Sequence, residues 1–272
     1  MRILAHVPSQ QYGFFEIEGD DSELPQIEKL YNQYAEKPIA FGGSETTSTD
    51  RKLLTAFVGG SIYFDKATHT YTNENGDVYL SGSTYAKQFE KPFDAQNIVI
   101  KMAAKSGVPA DEILKMWEMK RDVSNGYGTA LHLAMQLYGE FSKHSGVFNK
   151  EYHIHELSVF KDATESFYAS RMQEQAEYEA LVIDHKREYA GQIDRLVYVP
   201  DTTGEKTRRV WVEDFKSNHD LPKDKLENYW HQLSFYGSIL EAGGFIVEGL
   251  RIHHWNGKEW TTYEHEMGRI RE

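Results

Sequence analysis

The sequence predicts an α/β protein, with a central mixed sheet flanked by helices and a small α/β element at the N-terminus. Three observations carry this expectation. Between residues 61 and 84, two aromatic and β-branched runs flank Asn73-Glu74-Asn75-Gly76, the pattern of a β-hairpin. From about 95 to 175 apolar residues recur at helical spacing, as in Leu131, Met135 and Tyr138, and again in Leu157, Phe160, Ala163 and Phe167. Beyond 180, short apolar strand patterns return around one long helical segment.

Taken in order, the strand-like run Phe14, Phe15 and Ile17 precedes a helix-like segment at 24–35, and 42–50 (GGSETTSTD) is small, polar and without periodicity. That stretch reads as a linker. It divides an acidic N-terminal element, residues 1–45, from a main domain, residues 55–272. In the main domain, strands are expected at 180–184, 191–199 and 209–215, the last two joined by the turn-rich PDTTGEKT. A helix over 223–241 presents Leu226, Tyr229, Leu233, Tyr236 and Leu240 as a buried stripe. Two final strands, 249–255 and 259–267, flank the turn Asn256-Gly257. There is no internal repeat.

With 272 residues and 40% hydrophobic content, the chain can build one large domain and an appendage. No run approaches the roughly 18 apolar residues of a membrane helix, and the N-terminus lacks the apolar core of a secretory signal. A cytoplasmic protein is expected. Cysteine is absent, which excludes disulfides, thiolate zinc sites, cysteine-ligated iron–sulfur clusters and cysteine nucleophiles. Any metal must be held by oxygen and imidazole. The formal charge of −12 argues at first against nucleic acid, yet residues 1–50 hold nine acids against three bases, half of the excess. The remainder leaves room for a DNA-binding groove, since a metal site itself concentrates acids.

The chemistry is concentrated in Gly191-Gln192-Ile193-Asp194 and in Val212-Glu213-Asp214-Phe215-Lys216. A strand's period of two puts Asp214 and Lys216 on one face, the face of Val210 and Val212. A second carboxylate, Asp194, sits on the neighbouring strand. Phosphodiester hydrolysis needs such a cluster: a water must lose its proton near neutral pH while negative charge builds on the phosphorane, and carboxylate-held Mg²⁺ serves both needs. A lysine can orient the water or stabilise the charge. A lone D-x-K triplet is weak evidence, since it reads more readily as an exposed salt bridge between Asp214 and Lys216. Here it ends an apolar strand, follows a G-x-x-D strand and precedes a helix carrying Gln232 and Tyr236.

With these residues the sequence resembles the PD-(D/E)xK nucleases, specifically the RecB-like branch that includes helicase-associated nuclease domains and phage exonucleases. Gly191 to Asp194 matches the branch's G-x-x-D, Asp214-Phe215-Lys216 its D-Y-K, and Gln232 to Tyr236 its Q-x-x-x-Y. Upstream, Gly128 to His132 matches G-x-x-x-H, and Phe64 to Tyr71, running on to Gly82-Ser83-Thr84, is similar to the N-terminal strand motif of phage members. The matches span residues 62–255. The departure is the nineteen residues between Asp194 and Asp214, a longer hairpin than is typical of the branch.

The resemblance implies a restriction-endonuclease-like core and a DNA nuclease, an exonuclease processing DNA ends in recombination or repair. A structure-specific or RNA-directed endonuclease, or an inactive binding module of the same fold, are the alternatives. By the same resemblance His132, Asp194, Asp214 and the Phe215 backbone carbonyl would ligate two Mg²⁺ or Mn²⁺ ions. Lys216 would act on the water, and Gln232 and Tyr236 would bind substrate. Glu179 falls where relatives often place another acid. The implied partners are DNA and, through residues 1–45, a second copy of the chain or a recombination or annealing protein, in a bacterial or phage-infected cell.

Overall fold

The computed structural model describes residues 2–9, 13–20, 51–144, 148, 155–200 and 208–268, with the first two stretches and residues 155–156 described as backbone only. The chain divides into two compact units, Met1–Thr49 and Asp50–Glu272. In the first unit β1 (Arg2–Ser9) and β2 (Gly13–Asp20) form an antiparallel hairpin, with Ser9 opposite Gly13. The expected helix at 24–35 and linker at 42–50 lie outside the described residues.

The second unit is a mixed α/β structure built on a nine-stranded sheet. Its first four strands are β3 (Arg51–Thr55), β4 (Ser61–Asp65), β5 (Thr70–Thr72) and β6 (Val78–Ser81), paired antiparallel in sequence order. The stretch expected as one hairpin therefore contains two turns. Asp65 accepts the Thr68 N–H to close the first, and Asn73 Oδ1 accepts the N–H groups of Asn75 and Asp77 to close the second. In both, a short side chain substitutes for a backbone acceptor, and the Asn73–Asn75 bond is an Asx turn.

Five helices follow in sequence: α1 (Gly82–Lys87), α2 (Ala95–Ser106), α3 (Ala110–Phe141), α4 (His155–Ser158) and α5 (Lys161–Tyr168). At about 1.5 Å per residue, the 32 residues of α3 extend roughly 48 Å. No helix among the described residues is long and apolar enough to cross a membrane. The remaining elements are β7 (Ala176–Asp184), β8 (Tyr189–Tyr198), β9 (Arg209–Lys216), α6 (Lys223–Ala242), β10 (Ile246–Trp255) and β11 (Trp260–His265).

Strand β8 is the branch point of the sheet. Along one edge it pairs antiparallel with β7. The other edge is shared: β6 runs parallel to Tyr189 and Ala190, and β9 runs antiparallel to residues 195–198. Between those contacts, at 191–194, β8 is unpaired along this edge while still paired with β7 on the other. Parallel pairing of β9 with β10, and antiparallel pairing of β10 with β11, complete the sheet. The long β8–β9 connection leaves the pairing intact, with Arg195 opposite Glu213 and Tyr198 opposite Val210.

Helix α6 covers one face of this sheet, burying Leu233, Ile239 and Leu240 with Leu196, Val212 and Ile252. A second core sets Leu131 and Met135 of α3 and Phe167 of α5 against Phe215 and Trp255. Both cores converge where β8 is unpaired along that edge, and there the Tyr236 ring of α6 fills the space over the backbone. A methyl group at Gly191 would lie 2.2 Å from Tyr236 Cε1, and one at Gly82 would lie 2.3 Å from the same atom. Three of the matching motifs thus meet at one buried ring. Gly191→Ala should therefore destabilise the fold by about 1–3 kcal/mol through overpacking, read as a fall in the midpoint of urea unfolding. An unchanged midpoint would show that the ring has room to move.

Candidate active site

The parting of β8 from β9 creates the site. Beyond the Arg195–Glu213 pair no further ladder pair forms, and the Phe215 N–H is donated to Asp194 Oδ2 at 2.8 Å instead. A carboxylate thereby takes the place of a backbone acceptor, which fixes its position with respect to β9. From α3, His132 Nδ1 approaches the same oxygen at 3.3 Å. On β9, Lys216 Nζ lies 2.5 Å from Asp214 Oδ2, an ion pair with the carboxylate buried.

Glu179 of β7 completes the group. The ladder of β7 and β8 pairs Tyr178 with Arg195 and Ala180 with Ile193, which leaves Glu179 beside Asp194. Its φ is +48° in the middle of a strand, a left-handed conformation that costs a non-glycine residue about 1–3 kcal/mol and that concentrates at functional sites. Donor atoms of His132, Glu179 and Asp194 all lie within 4.8 Å of one another. Ligands on opposite sides of an ion at about 2.0–2.4 Å stand roughly 4–4.8 Å apart, so the three residues fit a single cation. Carboxylate oxygen and imidazole suit Mg²⁺ or Mn²⁺. Asp214, expected among the ligands, stands outside this trio, with its Oδ2 against Lys216.

The electrostatics are those of three carboxylates crowded around two cations. Burial, then the Asp194 charge, pushes Glu179 up to about 7. Burial also raises Asp214, to about 6, although Lys216 opposes it. Asp194 goes the other way: burial would raise it, but the charge and hydrogen bond of His132 hold it below the usual aspartate range. His132, which burial alone would lower, is lifted by Asp194 to about 9. A metal ion taking the imidazole must displace that proton. Burial disfavours the Lys216 ammonium, yet Asp214 and Asp194 raise its pKa above the ordinary lysine value.

A cleft of about 940 Å³ opens onto this cluster, with His132, Phe215 and Lys216 in its lining. One wall is α3, through Lys120, Val123 and Tyr127, and the other is the segment after β9, through Ser217 and Asn218, with Lys225 at the start of α6. Gln232 and Tyr236, expected to touch substrate, do not line the cleft. Tyr236 is buried, and its hydroxyl accepts a hydrogen bond of 3.0 Å from Gln232 Nε2. The pair braces the backbone behind the cluster. Sequence reasoning missed Tyr229, whose ring lies 4.6 Å from Lys216 Nζ; its place three residues before Gln232, on the same face of α6, was the available signal.

Behind β9 lies a second charged group that the sequence did not disclose. Glu213 receives Arg195 at 2.6 Å and Arg251 at 3.1 Å, with His253 Nε2 also at 3.1 Å, and Arg195 reaches Glu174 at 2.6 Å. Arg195, Glu213 and His253 are all buried.

No family model matches the chain, and no curated protein matches it. Among solved structures, one described as the crystal structure of SSO0001 is similar at 15% identity and a TM-score of 0.27, over 50% of this chain and 64% of that one. The aligned part is thus less than two thirds of that structure's length.

Proposed function

We propose that the protein is a metal-dependent deoxyribonuclease with a restriction-endonuclease-like core of the RecB-like type, working on DNA ends in recombination or repair. The observation that carries this reading is the convergence of Glu179, Asp194 and His132 with the Asp214–Lys216 pair beside a cleft. Mg²⁺ or Mn²⁺ bound there would lower the pKa of a water and offset charge on the phosphoryl group. Asp194, Glu179 and His132 would hold such an ion, and Asp214 is the carboxylate left for a second one. Lys216, kept cationic by its carboxylate neighbours, faces the reacting phosphate and stabilises the charge that develops on it. The Phe215 N–H fixes the Asp194 carboxylate so that it need not reorganise during the reaction.

Incubating the protein with linear and circular DNA, and with RNA, in Mg²⁺ or Mn²⁺ tests the proposal. Loss of the linear form from its ends is expected; no cleavage of any polynucleotide in either metal would sink it. Lys216→Ala should lower kcat about 10²- to 10³-fold, the cost of removing one aligned charge-stabilising donor, with metal affinity retained. Calorimetric loss of metal binding with turnover intact would contradict this role.

A further inference from the structure

The first half of α3 buries Ile113 but leaves one face open. Met116, Met119 and Val123 are 55%, 62% and 73% exposed. Spacings of three and four residues put them on one helical face with Lys120 and Tyr127, and Lys120, Val123 and Tyr127 line the cleft. An apolar strip therefore runs along the helix, enters the cleft and leads to the side of His132 and Lys216.

The charge of the cleft restricts what can follow that path. Its lysines are Lys120, Lys216 and Lys225, of which Lys216 is engaged by Asp214, and Asp220 opposes them. Proteins that hold a duplex by its backbones neutralise about 6–10 phosphates, more than this lining supplies. An unpaired strand draws its affinity differently, by laying base faces on apolar and aromatic side chains with few phosphate contacts. The amides of Asn125, Asn218 and Asn256, also in the lining, can hydrogen-bond the base edges that unpairing exposes.

We propose that the strip formed by Met116, Met119, Val123 and Tyr127, continued by the cleft, is a track for an unpaired polynucleotide, so that the substrate is a single strand or a frayed end and not an intact duplex. The proposal rests on the nuclease reading only in taking the cleft as the way to the cluster.

The test is fluorescence anisotropy with oligothymidylate and oligouridylate of about 20 nucleotides, and a blunt duplex of the same length. Asp194→Asn protein in Mg²⁺ keeps the probes whole. The single strands should bind at least about ten-fold tighter than the duplex, and the thymidylate–uridylate difference then tells DNA from RNA. With no more than three lysine contacts, log K should fall against log salt with a slope no steeper than about −2. The neutral double variant Met119→Ser, Val123→Ser should weaken single-strand binding about ten-fold with the melting temperature unchanged. Duplex binding as tight as single-strand binding, or a slope near −5 or steeper, overturns the proposal. So does a double variant that binds the strand normally but sediments as a smaller species, which would make the strip a self-association face. Wild-type protein that binds single strands as expected but cuts nothing sinks the nuclease reading alone; protein that cuts duplex and ignores single strands sinks only the track.

Discussion

Asp194→Asn should abolish metal-dependent cleavage and leave a folded protein. The amide keeps an oxygen that can accept the Phe215 N–H, so the junction of β8 and β9 is preserved. The negative charge shared by His132 and the cation site is lost, and with it the partner that lifts the imidazole to about 9. A bound metal contributes several kcal/mol to transition-state stabilisation in hydrolysis, so the expected fall is about 10³-fold or more. Turnover of linear DNA, with Mn²⁺ binding measured by calorimetry and folding by circular dichroism, checks it. Wild-type turnover at ordinary metal concentration would remove Asp194 from the site.

The second large effect is on stability. Arg195 is 1% exposed and binds Glu213, also 1% exposed, and Glu174. Burial alone would raise the Glu213 carboxyl; His253 first and then Arg195 more than reverse this, holding it well below the glutamate range. Arg195→Met leaves that carboxylate buried without its shortest ion-pair contact and should cost about 3–5 kcal/mol, whereas replacing both partners by apolar residues should cost far less. The pH dependence has a definite sign. A carboxyl whose folded pKa lies below its unfolded value adds stability above the unfolded value, near 4.5, and loses it as pH falls toward the folded value. Stability curves of wild type and Arg195→Met should therefore converge on acidification from pH 5 downward. A constant gap through that range would show that the pair contributes only packing.

Much of this architecture was legible in the amino-acid sequence, for definable reasons. Strands β8 and β9 and helix α6 carry unbroken apolar patterns between turn residues, and Asp194, Asp214 and Lys216 stand at strand positions that periodicity alone can place. Glu179 was indicated only by the family resemblance, because its approach to Asp194 depends on its own left-handed conformation inside β7, which no local pattern announces. Glu213 and Arg195 read as ordinary polar residues alternating with apolar ones, and their burial is decided by α5 and β10, far away in sequence. Helix α3 runs unbroken through Gly126 and Gly128, residues that lower helix propensity, with its second half held by the core of Leu131 and Met135. The exposed side chains of its first half follow helical spacing as faithfully as buried ones, so periodicity could not tell a core stripe from an open surface.

Strand β9 is buried on both faces from Val212 to Phe215, and apolar alternation therefore gives little guidance against slippage by one residue. Such a slip would turn every side chain to the opposite side. Glu213 would leave Arg195 and His253 for the compartment of Lys216, and Asp214 would be carried among arginines with no need of it. Two unlike ionic locks, one on each side of a single strand, reject the same error independently. A misthreaded chain is thus penalised twice, and the register of the chemistry does not depend on the connection between β8 and β9.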